Sequence, residues 1–145
     1  MHTMNLDHIG IAVADLDDIN HLMARLLGRE HYKVEAVAGQ GVLTSFFTAG
    51  SSGEAKVELV ASTREGNAID KFIQKRGPGM HHLAFKTEDI ESELDRLTTA
   101  GFEVLPGYPS PGADNMLVAF LHPRTTAGVL VEICQAMESP ADDAH

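Results

Sequence analysis

The sequence predicts an α+β fold made of two tandem βαβββ modules packed to form one cupped mixed sheet. Three observations carry this reading. Alternation of apolar residues at period two gives way to three-and-four spacing after residue 13 and again after residue 86. Each of those helical stretches precedes three short strand-like runs. Landmark residues also recur 74 positions apart: His8 and His82, Phe46 and Phe120, Glu58 and Glu132.

Module one covers residues 5–61. Its first strand, 5–13, places Ile9, Ile11 and Val13 on one face and His8, Gly10 and Ala12 on the other, so small residues leave room beside His8. From Asp15 onward, Leu16, Ile19, Leu22, Met23, Leu26 and Leu27 form an amphipathic stripe, and Gly28 is placed to end the helix in the left-handed conformation. Strands follow at 32–37, 42–48 and 56–61. A linker, 62–79, carries a short helix over 68–75 before the breaker Gly77-Pro78-Gly79.

Module two, 80–135, repeats the plan. A strand over 80–86 leads to Thr87-Glu88-Asp89, a helix start, then to the stripe Ile90, Leu94 and Leu97, with Gly101 as the stop. Strands are expected at 102–105, 116–122 and 128–134. A module of about sixty residues buries too little alone, and packing on its twin closes the core. Residues 136–145, rich in Ala, Asp, Ser and Pro, are expected to be a disordered tail.

Composition narrows the function. With 11 Lys and Arg against 21 Asp and Glu, the net charge of −10 disfavours nucleic acid as a partner. No apolar run has the ~18 residues of a membrane span, so no membrane role is expected and the cytoplasm is the expected compartment. The single cysteine, Cys134, has no internal disulfide partner and is expected to pack in the core.

The repeated pairs point to a metal. Glu58 alternates with Val57 and Leu59, and Glu132 with Val131 and Ile133, so both carboxylates face away from their apolar neighbours. His82 shares a face with Ala84, whereas His81 shares one with Leu83 and Phe85, which selects His82 as ligand and gives His81 a packed or hydrogen-bonded structural role. His8, Glu58, His82 and Glu132 then make a set of two imidazoles and two carboxylates. Such a set suits a divalent ion of intermediate hardness. An ion that accepts six ligands keeps two positions for substrate oxygens, which favours Lewis-acid chemistry over oxygen chemistry.

Leu6-Asp7-His8-Ile9-Gly10-Ile11-Ala12-Val13, Gly77-Pro78-Gly79-Met80-His81-His82-Leu83-Ala84-Phe85 and Ala119-Phe120-Leu121-His122-Pro123-Arg124, continuing into Val131-Glu132-Ile133, resemble the vicinal-oxygen-chelate (glyoxalase/bleomycin-resistance) superfamily, and within it the methylmalonyl-CoA epimerases, over residues 5–135. The resemblance implies a glyoxalase-like sheet enclosing the metal site, Co²⁺ by preference with Ni²⁺, Mn²⁺ and Zn²⁺ as alternatives, and a homodimer. It implies an acyl-CoA substrate, (R)- or (S)-methylmalonyl-CoA, epimerised by proton abstraction and return through a metal-stabilised enediolate.

Glu132 would then serve as one base and Gln40 would orient substrate. The second base is not assigned, because the position where some relatives carry a glutamate is Thr44 here, and a threonine hydroxyl accepts no proton at neutral pH unaided. The superfamily leaves two other functions open: a glyoxalase I type isomerase, and a metal-free module that binds a small molecule. His122, before Pro123, is read as a strand-end feature.

Overall fold

The structure is a computed structural model that describes residues 4–50 and 55–138. Its described residues divide into two compact units, one within 7–82 and the other made of 83–138 with 4–6; the division falls inside two strands.

In the first unit, β1 (Asn5–Ala12) leads through α1 (Leu16–Leu27) to β2 (Lys33–Val37), β3 (Val42–Thr48) and β4 (Lys56–Ser62), followed by α2 (Ala68–Arg76). β1 lies parallel to β4, while β3 pairs antiparallel with both β4 and β2. Mixed pairing follows from the connections: the helix between β1 and the later strands permits a parallel neighbour, and the short turns force antiparallel ones.

Each face of this sheet has its own helix. On one, Val13, Leu59, Ala61 and Phe47 pack with Leu16 and Met23 of α1. On the other, Ala12, Val42 and Val60 pack with Ile69, Phe72 and Ile73 of α2. Asp15 caps α1 by accepting from the Asp18 N–H at 3.1 Å, and Gly28 closes it at φ 70°. The helical stripe is narrower than expected. At about 100° per residue, Leu22 and Leu26 fall to one side of the line through Leu16, Met23 and Leu27, and they are 45% and 71% exposed.

The second unit repeats the order with β5 (Gly79–Lys86), α3 (Ile90–Thr99), β6 (Ser110–Pro111), β7 (Met116–Leu121) and β8 (Val131–Ala136). β5 lies parallel to β8, and β7 pairs antiparallel with β8 and β6. Ile90, Leu94 and Leu97 of α3 pack on Ala119, Leu121 and Ile133, and Asp89 caps the helix. Cys134 is fully buried, unbridged, against Ala84, Met116 and Val118 on the opposite face.

Three expectations for this unit are corrected. The strand expected at 102–105 makes a single bridge, Val104 to Leu121, and the ladder resumes only at Ser110. Pro106 and Pro109 interrupt it because neither has an N–H to donate. The last strand begins at Val131 rather than residue 128, after a turn in which the Gly128 N–H reaches the Pro123 carbonyl at 2.8 Å. The expected tail starts later too: Ala136 belongs to β8 and Asn115 holds both backbone groups of Met137, while 139–145 lie outside the described residues. Among the described residues no helix is long and apolar enough to cross a membrane.

Candidate metal centre

The strand face that α2 packs on also carries the candidate ligands. His8 on β1, Glu58 on β4 and His82 on β5 are all buried there. His8 Nε2 stands 3.1 Å from His82 Nε2 and 3.3 Å from Glu58 Oε1, and His82 Nε2 stands 3.2 Å from the same oxygen. His82 can enter only because residue 10 is glycine: a Cβ there would lie 2.0 Å from the His82 Cε1. The room foreseen beside His8 is thus filled by the second imidazole.

Asp7 decides which nitrogen His8 offers. Burial by itself raises the Asp7 carboxyl, but the hydrogen bond from His8, with the charge and hydrogen bond of Lys56, outweighs it and leaves the pKa below the ordinary value. The ionised carboxylate only accepts, so His8 Nδ1 donates to Asp7 Oδ2 at 2.7 Å while Lys56 Nζ holds Oδ1 at 3.3 Å. With Nδ1 holding that proton, Nε2 is the nitrogen left to give a lone pair to a cation. Glu58 is likewise an anion: burial raises its carboxyl, but the two imidazoles set against its Oε1 outweigh burial and hold its pKa down at about 2. Two ring nitrogens and a carboxylate oxygen in mutual contact, out of water, are the donor set of a divalent cation of intermediate hardness.

His81 has the structural role expected of it, with a specific partner. Its Nδ1 lies 2.9 Å from the His82 Nδ1 and its ring stands edge-on to Phe72 of α2, centroids 5.0 Å apart. Burial, then the neighbouring His82 imidazole, push its pKa down to about 4, so the ring is neutral at neutral pH. Asp7 and Lys56 were not foreseen. Strand alternation, which found His8, sends consecutive side chains to opposite faces and so is blind to an Asp7–His8 contact.

The remaining residues are placed as follows. Glu132 belongs to the second unit, buried on β8 between its strand partners Ala84 and Phe120. Gln40 sits in the β2–β3 turn, where its carbonyl takes the Asn67 amide at 3.3 Å. Thr44 is buried on the face that bears Phe46 and Glu58, and its hydroxyl donates to the Glu35 carbonyl at 3.3 Å. His122 ends β7 and its Nδ1 accepts the Arg124 N–H at 3.1 Å, a strand-end cap as expected.

Residues 7–120 match the Glyoxalase/Bleomycin resistance protein/Dioxygenase superfamily. The chain is similar to the ethylmalonyl-CoA/methylmalonyl-CoA epimerase of Cereibacter sphaeroides, 37% identical over 90% of this chain and 96% of that protein. It is similar to the solved methylmalonyl-CoA epimerase of Mycobacterium tuberculosis, with a TM-score of 0.86 and 33% identity over 97% of this chain and 91% of that one. A Streptomyces coelicolor methylmalonyl-CoA epimerase variant in complex with 2-nitronate-propionyl-CoA is also similar, with a TM-score of 0.85 and 33% identity over 95% and 100% of the two chains.

Proposed function

Since the chain belongs to the Glyoxalase/Bleomycin resistance protein/Dioxygenase superfamily, we propose that it is a metal-dependent isomerase that interconverts (R)- and (S)-methylmalonyl-CoA. The observation that carries this reading is the convergence of His8, Glu58 and His82 on one point in a chain 37% identical to an epimerase of that substrate class.

Glu132 completes the set. Its strand partner Ala84 is two residues along β5 from His82, and side chains two apart on a strand, with those directly across the ladder, face the same way. When bound, a divalent cation supplies Lewis acidity toward paired thioester and carboxylate oxygens. The protein supplies the rest. His8, Glu58 and His82 fix the donor geometry, and the Glu132 carboxylate serves one face of the α-carbon, taking the proton from one epimer or delivering it to form the other, general acid–base work that contributes about 10²- to 10⁴-fold, while the group that serves the opposite face is not assigned. Thr44 is not the second proton carrier, since its hydroxyl is committed to the Glu35 carbonyl. Co²⁺ is the favoured ion, and a cytoplasmic homodimer the expected working form.

The test is exchange of the methylmalonyl-CoA α-hydrogen in D₂O, followed by proton NMR, alongside metal analysis of the purified protein. Exchange that tracks bound metal supports the reading. A metal-loaded protein that exchanges nothing, or that instead turns over a methylglyoxal–glutathione hemithioacetal, overturns it.

A further inference from the structure

The duplication extends one residue beyond the ligands. Asp7 precedes His8, and 74 positions on His81 precedes His82. In both places the preceding side chain meets the ring's Nδ1: Asp7 Oδ2 at 2.7 Å from His8, and His81 Nδ1 at 2.9 Å from His82. Each partner is itself braced from another element. Lys56 of β4 holds Asp7, and Phe72 of α2 stands edge-on to the His81 ring, with the Arg76 guanidinium 5.6 Å from the Phe72 centroid.

We propose that His81 is a positioning residue: it accepts the Nδ1–H of His82, fixing the tautomer and the ring so that the His82 Nε2 lone pair faces His8 and Glu58, as Asp7 does for His8. The two Nδ1 atoms lie at hydrogen-bond distance, so one carries the proton and the other the lone pair. A neutral imidazole that gives a metal its Nε2 lone pair must be protonated at Nδ1, which leaves His81 as acceptor with its own proton at Nε2. The linker helix thereby enters the site's construction, because α2 sets His81 through Phe72.

This inference rests on the metal-site reading and on no particular substrate. It is tested by Co²⁺ affinity, from competition with a chromophoric chelator, and by the visible spectrum of the Co²⁺ protein. His81→Phe keeps a ring against Phe72 and removes the acceptor; the expected result is Co²⁺ binding weaker by about 10- to 100-fold with an altered spectrum. His81→Asn restores an acceptor oxygen near the Nδ1 position and is expected to recover the wild-type spectrum and most of the affinity. A Phe variant that binds Co²⁺ like wild type overturns the proposal, as does an Asn variant no better than Phe. Wild-type protein that binds no Co²⁺ overturns it together with the metal site, whereas a Co²⁺-loaded protein inactive on methylmalonyl-CoA defeats only the substrate assignment.

Discussion

The first and second halves lay down their strands in the same order, yet residues at matched places differ in what they allow. Gly10 corresponds to Ala84, Asp7 to His81, and Thr44 to Val118, each pair 74 apart. At Gly10 the missing Cβ is where the His82 ring lies, while Ala84 packs fully buried with Met116 and Cys134. The Asp7 carboxylate backs its histidine with a charge, and His81 does so with a neutral ring. A duplicated frame therefore fixes where ligands stand, and the exchanges around them make the two sides chemically unequal.

Exchanging the two carboxylates' roles is the sharpest way to break the comparison. Glu132→Gln keeps a ligand oxygen but removes the proposed base, and kcat for α-hydrogen exchange is expected to fall by about 10²- to 10⁴-fold. Glu58→Gln removes charge from the matched position with no proton to carry, so metal affinity is expected to weaken while the exchange rate of the metal-saturated protein falls far less. Equal losses of kcat in both variants at saturating metal would show the two halves to be interchangeable, contrary to the assignment.

Gly10→Ala should come next. The added methyl collides with a buried ring rather than a flexible chain end, and displacing His82 by about 1 Å is expected to cost on the order of 100-fold in activity, with metal affinity falling alongside. The reverse exchange, Ala84→Gly, removes one buried methyl and frees the strand backbone, at a cost of roughly 1 kcal/mol in stability, with metal stoichiometry unchanged. Thermal melts and metal titrations of the two variants separate these outcomes; intact metal binding by Gly10→Ala would contradict the geometry.

Asp7→Asn probes the charged side of the pair at smaller scale. The amide oxygen can still accept from His8 Nδ1, but the negative charge is gone and Lys56 loses its partner. Metal affinity is expected to drop about 10-fold, the low end of the range for such supporting groups, measured by chelator competition. No change would mean that the ring is oriented by packing alone, and that the Asp7–His81 correspondence has no bearing on the metal.

Much of this was legible in the sequence because strand alternation and a fixed repeat are strong constraints. They placed His8, Glu58 and His82 on one face and chose His82 over His81, and the structure brings those three together. They could not find Asp7, whose contact runs between neighbours in sequence, nor Lys56, which reaches Asp7 across the β1–β4 pair. The broken strand near Pro106 and Pro109 was missed for a related reason: a repeat predicts an element's place, while two absent N–H groups decide whether its ladder closes. Leu22 and Leu26 passed as core because an apolar residue beside a stripe reads the same as one within it, and only the neighbour's packing tells them apart.

The smallest expected effect concerns Thr44, which faces the site with Glu58 but spends its hydroxyl on the Glu35 carbonyl. Thr44→Val copies the residue that the second half carries at the matched place, Val118. Losing one long hydrogen bond of 3.3 Å should cost about 0.5 to 1.5 kcal/mol, read as a lower midpoint in urea. The exchange rate of the metal-loaded enzyme should stay within about threefold of wild type, since a general-base contribution would be worth 10²-fold or more. A tenfold or larger loss of kcat with unchanged KM would place the Thr44 hydroxyl in the proton path and make the first half a contributor of acid–base chemistry as well as ligands.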